Sequence, residues 1–399
     1  MKPYFEDLAW YDYLLCFVYN GIFSYVLYKI GEVFLQLNHR SLLLLVAAFQ
    51  VYFFVTMADS FFHFLPLQPE SSWYAFMVST GQYPEDAKVN LLVLYYLSLF
   101  FSIVCLNTPI IYIYLCVMLY LIGVMLVMRA WKRYDAGFDA RQERIASWLV
   151  LFWPAPLLFM TAPLQVAFVI LGFGIFFSGW VQYLQHKKLS SLLIGSAVMV
   201  ALQFESIYWV IPVALGTLLY KQAFALWIKL AATAVIVIAM VFLWGEFLLD
   251  SPLTPTAFAD MRNTSIAEAD VYGYGNVYWQ SYGEMARDYP FIILQFLLAP
   301  LPIFMQFDLG SSPIATLDGI FMILLLMASI LAIVKNWSGY KAVVLLLVFF
   351  IFFLGGAADH WMHAIRDRMP LVLLMIMCAA GLLSKSIFSA RKQTADVHT

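Results

Sequence analysis

An acid and an imidazole, Asp59 and His63, stand four residues apart in "MADSFFHFLPL", residues 57–67. On a helix that spacing puts both side chains on one face, roughly 5–6 Å apart at Cβ. They follow the apolar run 41–57, at the point where a chain leaving a membrane meets the interface. A carboxylate partly withdrawn from water is disfavoured in its charged form, so its basicity rises. Such a group can take a proton from a hydroxyl nucleophile. The bland alternative is a solvated loop acid beside an interfacial histidine.

Two later stretches carry other chemistry. "DVYGYGNVYWQSYGEMARDYP", ending at Pro290, sets Tyr278, Trp279 and Tyr282 among Glu284 and Arg287. Aromatic faces beside carboxylates suit sugar rings, although Trp and Tyr also gather at headgroup level in any membrane protein. "DHWMHAIRDRMP", residues 359–370, brings His360 and His363 next to Arg366 and Arg368. A guanidinium fork matches phosphate oxygens. Arg366, two residues further from the following apolar run, is the one expected to reach a phosphate. Arg368 is expected to pair with a local acid or to snorkel to headgroups. Gln165 and Glu205 fall between apolar runs, where a polar side chain is by default a functional hypothesis. No complete metal-ligand pattern is visible. No cofactor is indicated, and a divalent cation is left open.

The elements that position these groups follow from composition. Of 399 residues, 64% are apolar and 12% charged, against roughly 45–50% and about 25% in a soluble domain. With a mean hydropathy of +0.85, this is an all-α, polytopic membrane protein. The net charge of −2 and the lack of a basic cluster pattern exclude a nucleic-acid partner. The four cysteines sit singly within apolar runs and read as small core residues. "MKPYFEDLAWYDY" has one lysine and three acids and is not a cleavable signal peptide.

The apolar runs fall at roughly 12–36, 41–57, 90–107, 109–129, 147–163, 164–184, 190–204, 206–220, 223–249, 290–306, 318–335, 342–356 and 369–384. They predict about 11–13 transmembrane or re-entrant helices in a single domain, 1–399. Pro300 and Pro302 are expected to break the run 290–306. Basic residues concentrate in 129–144 and in the tail after 384, which puts those segments in the cytoplasm. The loops 58–89, 250–289 and 357–368 are then external and available for chemistry. One conflict arises: if 90–107 and 109–129 both cross, Asp59 falls on the side of the basic loop. Either one of those runs does not cross, or the orientation of the N-terminal half is reversed.

"ADSFFHFLPL" resembles the Asp-x-x-x-His-x-x-Pro start of the first external loop in bacterial GT-C-fold glycosyltransferases, relatives of the protein mannosyltransferases. "FWPAPLLFMTAPLQ" followed by "LLIGSAVMVALQFESIYWVIP", and the Arg366–x–Arg368–x–Pro370 approach to a late span, are similar too. "YPFIILQFLLAPLPIF" is similar to a segment of polysaccharide-repeat polymerases. Where members of that family often carry an acid pair, an acid or Arg, and a Lys or Arg, this chain has Ser60, Gln165 and Glu205. The resemblance implies a GT-C-like fold in the bacterial inner membrane. It implies a sugar donor on a polyprenyl phosphate or pyrophosphate, a glycan or lipid acceptor, and inverting transfer, with Asp59 as base and Arg366 steadying the leaving phosphate. His63, Gln165, Glu205, Tyr278, Trp279, Glu284, Arg287, His363 and Arg368 would then line the substrate sites. A repeat-unit polymerase is one alternative reading, and a polysaccharide-lipid transporter or flippase another. No repeat symmetry of the transporter kind is visible.

Overall fold

The computed structural model describes residues 2–5, 8–66, 71–82, 92–221, 254–268, 276–299, 313–357 and 361–396, with three isolated positions between 222 and 253. The described residues are helical, without strands. Among the described residues, six helices are long and apolar enough to cross a membrane: Trp10–Phe34, His39–Phe62, Pro109–Tyr134, Val166–His186, Pro313–Lys335 and Trp337–Gly355. Shorter apolar helices run over Tyr95–Val104, Leu189–Leu202, Trp209–Leu219 and Met369–Ser384. The chain is thus an all-helical protein with the build of a polytopic membrane protein. All but three isolated positions of the apolar run 223–249, and the prolines 300 and 302, lie outside the described residues.

Two units pack separately: Met1–Phe204 with Met327–Ala332 and Leu373–Thr399, and Glu205–Leu326 with Ile333–Val372. The first unit is built on α1 (Trp10–Lys29, continued by a π-helical turn, Ile30–Phe34), α2 (His39–Phe62), α3 (Ser71–Thr80) and α4 (Leu92–Val104). It goes on with α5 (Pro109–Tyr134), α6 (Ala140–Leu151), α7 (Ala155–Phe159), α8 (Val166–His186) and α9 (Leu189–Leu202).

Helix α5 is the axis of this unit, with almost every side chain of its central part buried. Pro109 opens it at a position whose N–H has no helical partner anyway. Helix α8 approaches α5 backbone to backbone. A Cβ on Gly123 would stand 2.6 Å from the Ile170 carbonyl oxygen, and one on Gly174 2.6 Å from the Gly123 oxygen. With no hydrophobic force between helices in lipid, such close contact is what holds them together. A polar clasp joins α1 to α2: Asn20 Nδ2 donates to Gln50 Oε1 (2.9 Å), and Gln50 Nε2 donates back to Asn20 Oδ1 (3.0 Å).

Helix α2 runs antiparallel to α5. At one end Asn38 caps α2, and its N–H donates to the buried Glu143, which also pairs with Lys132 of α5 at 3.3 Å. Nearby Arg129 donates to the Phe34 carbonyl. At the other end Asp59 closes α2 at the level where α5 begins. Helix α4 finishes beside the start of α5, where Tyr19 donates to the Val104 carbonyl (2.7 Å), and in its first described turns Tyr95 donates to the Gly81 carbonyl (3.0 Å). Asp59 before the run 90–107 and Pro109 after it stand at the same end of α5, since Lys2 reaches Asp59 and the nearby Tyr4 lines one cavity with Pro109. Asp59 and the basic 129–144 segment lie at opposite ends of α5, which removes the orientation conflict.

The segment 152–165, with Pro154, Pro156 and Pro163, interrupts the chain between α6 and α8. Trp153, Phe159, Met160 and Leu164 are all buried, so this irregular backbone is enclosed by protein, as the membrane interior requires.

The second unit holds α10 (Ile207–Lys221), α11 (Pro255–Glu268), α12 (Tyr282–Leu298), most of α13 (Pro313–Lys335), α14 (Trp337–Ala357) and α15 (Trp361–Asp367). The first turn of α16 (Met369–Asp396) belongs to it as well. Trp209 of α10 lies against Phe350 of α14, with ring centroids 4.2 Å apart.

Candidate functional site

Asp59 is the fully buried acid at the end of α2. The helix stops four residues later because His63 takes a left-handed conformation (φ 50°). The chain then folds back, and Leu65 N–H donates to Asp59 Oδ1 at 2.9 Å. The other carboxylate oxygen receives Lys2 Nζ. Lys2 is itself buried, at the start of the short helical turn Pro3–Phe5. Burial pushes the Lys2 ammonium below its usual range, and Asp59 pulls it back in part. Phe5 of the same turn stacks on His63, with centroids 6.3 Å apart. Burial raises the Tyr4 phenol well above its ordinary value, and the Asp59 charge adds to that.

Asp59 and His63 thus both meet the N-terminal turn. Asp59 gains a cation that no spacing pattern predicts, 57 residues away in the chain. Removing Lys2 would leave a buried carboxylate with no compensating charge, and such a group takes up a proton instead. Lys2→Met should therefore turn Asp59 into a target for dicyclohexylcarbodiimide, which reacts with protonated acids in apolar surroundings. Wild-type protein and Lys2→Arg should resist it, as read by mass spectrometry of the peptide. Equal modification in all three would mean that Lys2 does not govern the charge on Asp59.

Gln165 sits just before α8 and accepts from the Tyr74 hydroxyl at 3.3 Å. Glu205 lies in the 3₁₀ turn Phe204–Ser206, at the boundary of the two units.

The second unit holds the remaining predicted residues. Tyr278 is 80% exposed and Tyr282 66%, but Trp279 is not a free platform. It is 2% exposed and packs in a small core with Phe258, Ala259 and Ile292, and its Nε1 donates to Asp288 at 3.1 Å. Asn263 fixes Val277, two residues before Trp279, from both sides, donating to its carbonyl (2.8 Å) and accepting from its N–H (2.9 Å). Glu284 caps the start of α12 by accepting from Gln280 N–H at 2.8 Å, while Ser281 caps the same turn. Arg287 pairs on the surface with Asp288, which raises the guanidinium and lowers the carboxyl. Tyr272 and Tyr274 lie outside the described residues.

The two late arginines differ sharply. Arg366 is 17% exposed and pairs with its neighbour Asp367 at 3.2 Å. Arg368 is buried and donates to the Phe296 (3.1 Å) and Leu297 (3.0 Å) carbonyls, in the last turn of α12, and to Asp318 of α13. Its acid partner is thus 50 residues away rather than local. One clue was present in the sequence: Asp318 is the lone acid of an otherwise apolar run. His363 is half-buried in α15, and His360 lies outside the described residues. Among the described residues, no three His, Cys, Asp or Glu side chains come together as a metal site.

No family model, curated protein or solved structure matches this chain.

Proposed function

We propose that this membrane protein is a GT-C-like glycosyltransferase that moves a sugar from a polyprenyl-linked donor to an acceptor at the external membrane surface. The observation that carries the proposal is the Asp59 carboxylate, buried at the end of a membrane helix and opposite the basic loop. The positive-inside tendency puts that basic loop in the cytoplasm and so Asp59 outside. There, the acceptor hydroxyl gives its proton to Asp59 as its oxygen bonds to the anomeric carbon. The bond from that carbon to the phosphate oxygen breaks, and the electron pair leaves with the phosphate. Lys2 must loosen its hold for Asp59 to accept the proton. The proposal keeps Arg366 as the cation for the leaving phosphate, because Arg368 is already committed to Asp318 and two carbonyls.

The test is transfer in proteoliposomes. Lipid-linked sugars are extracted from cells that carry the protein, labelled in the sugar, and added back with a membrane extract as acceptor. Label should leave the polyprenyl lipid only when the protein is present. An undiminished lipid-linked pool removes the proposal.

A further inference from the structure

A cavity of about 430 Å³ opens beside the N-terminal turn, entirely within the first unit. Its size falls in the ~300–1,000 Å³ range of small-molecule sites. Its wall carries Tyr4, Asp12, Ser72, Ser79, Asn107 and Thr108. The turn Pro3–Phe5 links it to the buried acid, since Lys2 holds Asp59 and Tyr4 faces the cavity. Among the described residues, Asp12 is the one charged group in the wall, and no lysine or arginine lines it. Phosphate is therefore the wrong ligand. Hydroxyls, an amide and one carboxylate form a set that donates to and accepts from neutral hydroxyl groups.

Four further features support this. Asp12 Oδ2 accepts from Ala9 N–H at 2.9 Å, which fixes the carboxylate at the first turn of α1. Asn107 and its neighbour Leu106 both take left-handed φ angles, 56° and 54°. Non-glycine residues seldom adopt that conformation, and such strain gathers at functional positions. Trp10 and Tyr11 are exposed on the same turn of α1 as Asp12, which marks headgroup depth. Phe76 offers a partly exposed aromatic face in the same wall.

We infer that this cavity is a subsite for a neutral glycosyl head group at the membrane surface, with Asp12 and Asn107 hydrogen-bonding ring hydroxyls. It rests on the glycosyl-transfer reading and names its acceptor half. Binding commits to ring hydroxyls as such rather than to one stereoisomer.

The test reads binding and not transfer. Ser79→Cys places a thiol at the cavity, where Ser79 is exposed; the four native cysteines are buried. Maleimide labelling is followed in polyoxyethylene-detergent micelles as octyl β-D-glucoside is added. Labelling should slow saturably, octyl phosphate should have no effect, and Asp12→Ala should weaken protection by about 10-fold or more, the loss expected of a charge-assisted hydrogen bond. Asn107→Ala, which leaves the Asp12 turn intact, should weaken it too. Methyl β-D-glucoside separates the ligand's sources: protection by it as well means a free sugar suffices, and protection by the octyl form alone means a lipid-borne one. No protection by either glucoside, protection by octyl phosphate, or equal protection in both variants overturns the inference. Saturable, Asp12-dependent protection in a protein that transfers no sugar would keep the subsite and remove only the transferase.

Discussion

Asp59→Asn is expected to lower glycosyl transfer by about 10²- to 10⁴-fold, the range that a positioned general base contributes. Asparagine keeps the shape and can still accept from Leu65 N–H, but it cannot take up a proton. The variant has a second effect that must be separated from the first. Lys2 would remain buried against a neutral amide, and removing one member of a buried pair costs about 3–5 kcal/mol. A low rate alone would therefore be ambiguous. The double variant Lys2→Met with Asp59→Asn removes both charges and should recover much of the stability without recovering activity. Transfer rates in proteoliposomes, scaled to folded protein, make the comparison. A double variant that regains wild-type transfer would reduce Asp59 to a structural partner of Lys2.

The second large effect is on stability. Arg368→Ala should cost about 3–5 kcal/mol, because Asp318 would be left charged and fully buried. Two carbonyls at the end of α12 would also lose their donor. Replacing the pair together, Arg368→Met with Asp318→Leu, should recover most of the loss, since apolar residues of similar volume often substitute well for a buried pair. Arg366→Ala should cost far less, because both it (17%) and its sequence neighbour Asp367 (19%) keep some contact with solvent, so Asp367 would not be left fully buried and unpaired as Asp318 would. Thermal unfolding in detergent ranks the three. If Arg366→Ala destabilises as much as Arg368→Ala, the burial argument for Arg368 fails.

Helix positions were readable from the sequence because they follow from apolar composition. The runs at 41–57, 109–129 and 164–184 reappear as α2, α5 and α8, extended by a few polar or aromatic residues at their ends. The run 147–163 reads as one segment, yet its helix stops at Leu151, just before Pro154. Position within the membrane was less readable. The run 90–107 has the composition of a span, yet Asp59 before it and Pro109 after it stand at the same end of α5.

Partners were not readable, because pairs that neutralise buried charge join distant parts of the chain. Asp59 stood out as an acid at the end of an apolar run, yet nothing near it pointed to Lys2. Trp279 looked like a surface aromatic in a polar, glycine-rich stretch. Asn263 and Asp288 instead hold the stretch against Phe258 and Ile292. The Arg366–Arg368 pair shows the limit of counting residues back from a span: Arg368 turns toward α12 and α13.

The lipid-linked sugar pool of living cells is the most direct test of the proposed transfer. Cells that carry the protein, cells that lack it, and cells with only Asp59→Asn would be extracted, and their polyprenyl-linked sugars quantified by mass spectrometry. A transferase that consumes such a donor predicts that one species accumulates in both deficient strains and falls when wild-type protein is restored. Identical pools in all three strains, with the variant present at wild-type level, would contradict the transfer of a polyprenyl-linked sugar by this protein.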